Sequence, residues 1–472
     1  MEGWRVSDHL ATFTKRLKDF LTADSLLVDK SDCEPFGTDW TKQKGMPPLV
    51  VLPKTTEEVA KILRTANELG IAIVPSGGRT GLAGGAVAAK GEVVLSLSRM
   101  ARIDPIDRIS RSVRVQAGAI TQTVHEHCEA AGLQWPIDLA AKGTSQIGGN
   151  LSTNAGGLKV VRYGMARKWV SALQIVTMQG EVIELNRGLE KNNTGYSLTQ
   201  LLIGSEGTLA VITEAELKLT RIPKHLSVFL FSVRDLEHLA ILCELAQFGP
   251  FEINAMEFFS QRCLRTVEEK LKKKCRLQNA QPYYVVLEVE TPTASADELE
   301  AWLSELIEKA IITDGYRGES SADCRAIWDL REGITESIAQ TGRVRKHDIA
   351  VPLSKMVPFL TEGQKAFERM KMGADLYIFG HFADGSPHFN IVKHPGTDNT
   401  DFDHGCDRYD GELYSLLKKY GGSVSAEHGI GNLKKPWLPY SRTPRELEIY
   451  RHIKKAFDPK GLLNPGKIID HL

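Results

Sequence analysis

The chain has little cysteine, no excess of charge of either sign and no long apolar run. Its seven cysteines are scattered through 472 residues without a CxxC pair, so there is no disulfide framework to read, and reduced thiols in a reducing compartment are expected. Lysine plus arginine and aspartate plus glutamate are both 59. No overall field therefore recommends nucleic acid as a partner, and an anionic ligand must be held by local groups. No stretch approaches the apolar length that spans a membrane. The opening residues, MEGWRVSDHLATFTKRLKDFL, mix charges with apolar residues at helical spacing and lack a signal-peptide core. These absences predict a cytoplasmic protein, with peripheral contact at the inner membrane left open. Two phosphate motifs are also missing: the GxGxxG fingerprint of nicotinamide enzymes and the GxxxxGK[ST] loop of NTPases.

What is present is the balance of a folded globular chain, 42% hydrophobic and 25% charged, and its length predicts two or three packed units. Thr55 to Gly70 reads as a helix with a capping box from Thr55 to Glu58, an apolar stripe at Val59, Ile62, Leu63, Ala66 and Leu69, and a terminating glycine. A buried strand at 71–74 follows, then strands at 92–97 and 112–116, a helix over 121–131, and strands at 173–178, 182–185 and 211–219. Composition divides the chain into an N-terminal helical segment 1–46, a glycine-rich unit 47–221, a second unit 222–420 and a C-terminal segment 421–472. The second unit carries longer elements, such as a helix from Ser295 to Lys309 and a strand from Tyr283 to Glu290. Alternating helices and strands indicate α/β or α+β construction.

Three glycine clusters lie in the first unit. Pro75 to Gly81 leaves a strand end and offers unobstructed backbone N–H groups plus Arg79, which suits a pyrophosphate. Alone it could be a plain glycine turn. The second cluster, TSQIGGNLSTNAGGLKVVRYG at 144–164, and the third at 204–207 imply a long ligand lying along backbone.

PSGGRTGL at 75–82, PID at 136–138, the run from Thr144 to Gly164, IGSEGTLAVIT at 203–213 and FDPKGLLNPGK at 457–467 together resemble the flavoprotein family of vanillyl-alcohol oxidase type. Within it, the similarity is to the branch of FAD-linked 2-hydroxy acid dehydrogenases that holds D-lactate, glycolate and D-2-hydroxyglutarate enzymes. The resemblance covers nearly the whole chain. It implies an α+β fold with a two-part, PCMH-type FAD-binding domain, an α+β substrate (cap) domain and a C-terminal segment returning to the flavin. It also implies that Pro75, Ser76, Gly77, Gly78, Arg79, Thr80 and Gly81 wrap the FAD pyrophosphate, with Leu82 also at the cofactor. Pro136, Asp138, Thr144, Gly148, Asn150, Thr153, Gly156, Gly157, Tyr163, Gly164, Glu206, Gly207, Val211, Ile212 and Asn464 would line the rest. Some relatives attach FAD through a histidine in the first loop or a cysteine in the second. Here Arg79 and non-cysteine residues throughout 143–149 occupy those places, so non-covalent FAD is expected.

YIFGHFADGSPHFNIVK at 377–393 places two apolar runs around Asp384-Gly385, a hairpin signal. Folding about that dipeptide pairs 383 with 386, 382 with 387 and 381 with 388, so His381 and His388 would face each other with Asn390 on the same face. Pro387 could widen the turn. A histidine pair in a strand can be structural or metal-binding. Glu427-His428 within SAEHGIG adds an oxygen ligand beside another histidine, which favours a site. The family pattern GHxxDGxxHxN and SGEHGIG agrees, and implies His381, His388 and Glu427 as ligands of a divalent metal with His428 as base and substrate contact. Ala383 and Ala426 replace the pattern's glycines, which puts only fine geometry in doubt. Two nitrogen ligands favour zinc, with manganese or iron also fitting. The implied reaction takes the hydroxyl proton to His428 as hydride passes from C2 to flavin N5.

From Leu330 to Asp348 most charges read as a solvated helix face. Arg331 and Thr335 are four apart on one face, and an arginine fork with a hydroxyl suits a carboxylate. With Lys346 they resemble the carboxylate-binding set of D-2-hydroxyglutarate dehydrogenases, joined by Asn390. That resemblance implies a dicarboxylic 2-hydroxy acid, D-2-hydroxyglutarate before D-malate, with D-lactate or glycolate as runner-up. A flavin-bearing subunit without activity of its own, and an oxygen-using oxidase, remain as alternatives. The expected electron acceptor is an electron-transfer flavoprotein, a quinone or a cytochrome, and a homodimer is among the expected assemblies.

Overall fold

The computed structural model describes residues 2–41, 43–291 and 296–471. The chain divides into two compact units, one of Met1–Gly157, Met165–Ile222 and Glu427–Leu472, the other of Leu158–Gly164 and Pro223–Ala426.

In the first unit the helix Thr56–Leu69 has both predicted ends: the Thr55 side chain accepts from the Glu58 N–H, and Gly70 closes it at φ 70. The Glu58 carboxylate does not return to Thr55, however, but accepts the Lys54 N–H at 2.6 Å. Val59, Ile62, Leu63 and Ala66 share one core with Phe13 and Leu17 of the helix Glu2–Leu17. The strands β1 (Leu26–Leu27), β2 (Val50–Val51), β3 (Ile73–Ser76) and β4 (Val93–Ser96) form a sheet in the order β1-β2-β4-β3, with β2 and β3 parallel to β4. The strand predicted at 71–74 thus lies two residues later and runs through Pro75. Proline is tolerated because β3 is an edge strand and needs no outward donor.

Further along are β5 (Ser112–Gln116), β6 (Leu133–Gln134), β7 (Val170–Val176), β8 (Val182–Leu185), β9 (Val211–Lys218) and β10 (Thr220–Arg221). An antiparallel sheet in the order β5-β9-β7-β8 packs Val113, Val115, Leu173, Ile175 and Leu217 onto Ile147 and Leu151. The C-terminal segment is fastened here by a buried lysine. Lys454, on the helix Pro444–Phe457, donates to Asp458 and to the carbonyls of Thr208 and Leu463, each at 2.6 Å.

The second unit is built on β11 (Leu226–Val233), β12 (Glu252–Ser260), β13 (Tyr283–Glu290), β14 (Asp314–Arg317), β15 (Val344–Asp348), β16 (Ala374–His381) and β17 (Ser386–Lys393). They form a seven-stranded antiparallel sheet in the order β14-β11-β13-β12-β16-β17-β15. On one face Leu230, Phe259, Val286 and Phe379 pack with Val267, Ile327, Leu330 and Ile334 from the helices Gln261–Leu271 and Ser321–Ala339. On the other, Phe389 meets Phe359 of the helix Met356–Met370 edge-on at 5.8 Å.

The architecture is α+β, as expected. The charged stretch after Leu330 is not one helix: the helix ends at Ala339, and Val344–Asp348 is a strand that pairs with β17. The predicted helix from Ser295 is observed over Ala296–Glu308, and Ser295 itself lies outside the described residues. Ser423 pairs with Ala350, which keeps residues 421–426 with the second unit. Among the described residues no helix is long and apolar enough to cross a membrane.

Candidate active site

In the first unit the three glycine clusters converge on one another. A Cβ on Gly78 would sit 2.1 Å from the Thr144 carbonyl oxygen, and one on Gly207, at φ +67, would meet the Pro75 ring at 3.3 Å. Only glycine lets these loops approach so closely. Gly148 and Gly157 are confined in the same way: a Cβ on Gly148 would sit 2.7 Å from the Ala117 Cβ, and one on Gly157, at φ +100, 2.0 Å from the Asp138 carbonyl oxygen. Between the clusters stand buried polar atoms with no internal hydrogen-bond partner: Ser76 Oγ, Gln146 Oε1 and Asn464 Oδ1. An unsatisfied buried polar atom costs about 1–3 kcal/mol, so several at one place fit a bound polar ligand.

Other residues expected at the cofactor have partners within the protein. Arg79 adopts the left-handed region at φ 56, lies over the Phe36 ring at 4.5 Å, and has its guanidinium pKa lowered by burial. The Asn150 amide donates to Thr121 Oγ1 at 2.7 Å, and Thr153 Oγ1 donates to the Gly149 carbonyl at 3.2 Å. Asp138 accepts from Lys142 at 2.8 Å. Val211 and Ile212 are buried in apolar cores. Tyr163 and Gly164 belong to the segment Leu158–Gly164, which is counted with the second unit.

Glu206 is buried and left-handed at φ 52. Its carboxylate accepts the Ile430 and Gly431 N–H groups, both at 2.7 Å. Burial pushes its carboxyl pKa up against the pull of those donors. The side chain therefore fixes the loop that carries His428. Within the same unit the Glu427 carboxylate accepts the Gly157 N–H at 3.0 Å, and the His428 Nε2 lies 3.8 Å from Glu427 Oε1. Asn464, left-handed at φ 44, donates to the carbonyls of Glu206 and Gly85.

In the second unit a polar patch interrupts the apolar face of the sheet. The hairpin register differs from the expected one by two residues: His381 pairs with Ser386, Gly380 with Pro387 and Phe379 with His388. The cause is a wider turn over 382–385, in which Phe382 is buried and Gly385, at φ +78, is pressed against the Val351 carbonyl. A shift of two preserves side-chain parity. The two histidines are therefore diagonal rather than opposite, yet on one face, with ring centroids 5.3 Å apart. Register puts Asn390 across from Lys346 and Asp348 across from His388.

One residue of this patch was not anticipated. Glu257, on β12 directly opposite His381, is 1% exposed; its Oε1 lies 2.6 Å from His381 Nδ1 and its Oε2 lies 2.7 Å from the Arg331 guanidinium. Burial pushes its carboxyl pKa up, but His381 and Arg331 more than offset this and hold it low. An acid in the middle of the strand EINAMEFFS, past Glu252 at its exposed start, was the available signal. Arg331 is buried and also lies over Phe379 at 5.0 Å, whereas Thr335 and Lys346 are exposed.

Residues 222–468 match the family model described as FAD linked oxidases, C-terminal domain, and residues 47–186 match the one described as FAD binding domain. The chain belongs to the FAD-linked oxidase family and is an FAD-dependent oxidoreductase, consistent with the glycine cradle and its unsatisfied polar atoms.

Among its relatives, D-2-hydroxyglutarate dehydrogenase of Xanthomonas citri pv. viticola is 40% identical over 461 residues, 96% of each chain. The enzyme of the same name from Stutzerimonas stutzeri is 38% identical over 454 residues, 96% of this chain and 97% of that protein. The solved structure of p-cresol methylhydroxylase superposes with a TM-score of 0.79 at 15% identity, covering 98% of this chain and 97% of that one. That likeness establishes the fold, the PCMH-type architecture expected from sequence.

Proposed function

We propose that the protein oxidises (R)-2-hydroxy acids to 2-oxo acids, with D-2-hydroxyglutarate as the leading substrate and D-malate next. The observation that carries this reading is the buried polar patch on one sheet face, where His381, His388, Asn390 and Arg331 replace apolar packing. Relatives named D-2-hydroxyglutarate dehydrogenase support the substrate.

When bound, FAD, held non-covalently, supplies the acceptor for the hydride leaving C2. The chain must then remove the hydroxyl proton and hold the carboxylates. His428 takes that proton, leaving the carbonyl of the 2-oxo acid. In this reading His381, His388 and Glu427 are ligands of a divalent cation, zinc first and manganese or iron next, which would supply positive charge toward the 2-hydroxyl and 1-carboxylate oxygens. The close histidine pair supports two of those ligands. Arg331, Thr335, Lys346 and Asn390 receive the substrate's polar groups. Reoxidation by an electron-transfer flavoprotein, a quinone or a cytochrome, a cytoplasmic location reaching to the inner membrane surface, and a homodimer complete the proposal.

One observation favours a second reading. Arg331 is already ion-paired with Glu257, which reduces its value for a second carboxylate and leaves D-lactate or glycolate as the alternative. The test is the anaerobic visible spectrum before and after D-2-hydroxyglutarate. Bleaching of the flavin band is expected; an unbleached band with D-2-hydroxyglutarate that bleaches with D-lactate would overturn the dicarboxylate assignment.

A further inference from the structure

We infer that Glu257 is a positioning residue of the active site: it sets the tautomer of His381 and ties that histidine to Arg331. This deepens the metal reading above and rests on it for one of its two tests.

Glu257 and His381 are cross-strand partners on β12 and β16, so backbone pairing alone brings their side chains to the same face at close range. The contact is between Glu257 Oε1 and His381 Nδ1 at 2.6 Å. An ionised carboxylate can only accept, so Nδ1 must carry the hydrogen. In a neutral imidazole that leaves the lone pair on Nε2, the form that binds an electrophile, and the hydrogen bond also fixes the ring's rotation.

The other oxygen is held too. Arg331, on the helix Ser321–Ala339, lies 2.7 Å from Glu257 Oε2 as an ion pair; the contact is one of charge and not of hydrogen-bond geometry, since both that oxygen and Arg331 Nε are buried without a hydrogen-bond partner. One carboxylate thus bridges a candidate ligand and a candidate substrate contact that are 50 residues apart in sequence (381 − 331). A purely structural filler at this position would be served as well by an apolar side chain, because burying a charge is costly unless it is paired. Only a carboxylate orients an imidazole and a guanidinium at once.

Glu257→Gln keeps the shape and removes the charge. In FAD-loaded protein stripped of metal, zinc titrated against a chromophoric chelator should bind this variant about 10- to 100-fold more weakly than the wild type, the usual effect of losing such a partner. Flavin content should be retained, and kcat/KM should fall for both D-2-hydroxyglutarate and D-lactate, since the lost orientation of His381 serves both. A folded, flavin-replete variant with unchanged zinc affinity would overturn the inference.

A second measurement needs no variant. The ¹⁵N spectrum of histidine-labelled, metal-free wild type, assigned by difference against His381→Asn, should show protonated Nδ1 and unprotonated Nε2 at His381, and the opposite tautomer would also overturn it. If the wild type binds no zinc, the metal reading fails by itself, and the tautomer still decides the role of Glu257.

Discussion

The two units make their contributions in opposite ways. The first works with backbone: its ligand cradle consists of glycines whose value is the absence of a side chain, with orphaned polar atoms set among them. The second works with side chains, an acid, an arginine and two histidines placed from three strands and a helix into an otherwise apolar face. A cradle of backbone is local in sequence and tolerates few substitutions at a handful of positions. A patch of charged side chains is dispersed, and its members support one another.

The comparison breaks most sharply at the proposed base. His428→Ala should lower kcat by roughly 10²- to 10⁴-fold, the range for losing a general base, while the visible flavin band persists. Steady-state turnover beside the absorption spectrum checks both halves. Unchanged turnover would remove His428 from that role and leave proton removal to the second unit.

Next in size is a test of the backbone cradle. In Gly78→Val even the first added carbon collides with the Thr144 carbonyl oxygen, a backbone atom that cannot rotate away. Overpacking of this kind costs about 1–3 kcal/mol or more, and here it also spreads two loops. The purified variant should carry little FAD, read as the ratio of flavin to protein absorbance. Gly70→Ala, at a helix end with open space around the added carbon, should keep its flavin and lose only modest stability from its positive φ. If both variants retained flavin equally, close approach would not be what glycine supplies.

How much of this was legible beforehand follows from the same contrast. The glycine clusters show in composition, and the helix caps at Thr55 and Gly70 and the core stripe between them show in spacing, because each depends on neighbours a few residues away. The hairpin was legible as a hairpin, but its register was set by Phe382 and by the Val351 carbonyl against Gly385, contacts from distant segments. Parity survived that shift, so the histidines still share a face. Glu257 stood out only as an acid in an apolar run, and its role was hidden for a stronger reason: its partner on the next strand is 124 residues away. Glu206 reads from the sequence as lining the flavin site; that its carboxylate also accepts from the amides of Ile430 and Gly431, 224 and 225 residues away, could not be read from spacing.

A smaller effect sharpens the account of the second unit. Arg331→Met removes the guanidinium from both Glu257 and any distal carboxylate. If Arg331 binds that carboxylate, kcat/KM for D-2-hydroxyglutarate should fall about tenfold or more beyond the fall for D-lactate, the equivalent of at least one charge-assisted hydrogen bond. Equal losses would restrict Arg331 to supporting Glu257. Thr335→Val, at an exposed position, should change the same ratio only a few-fold, since an exposed hydroxyl has water as an alternative partner.

The least effect is expected from thiol chemistry, and it tests whether either unit hides a nucleophile. All seven cysteines are free, and five of them, Cys33, Cys128, Cys243, Cys263 and Cys406, are buried. Burial pushes the Cys128, Cys263 and Cys406 thiols up to about 11 and Cys243 to about 12. Since the thiolate is the reactive form, these groups are both inaccessible and protonated near pH 8. A disulfide reagent added to the native protein should label at most Cys275 and Cys324, which are partly exposed, and activity should be unaffected. Rapid inactivation that tracks the labelling of one buried cysteine would mean that its unit opens far enough to expose it, which the packing of these cores does not anticipate.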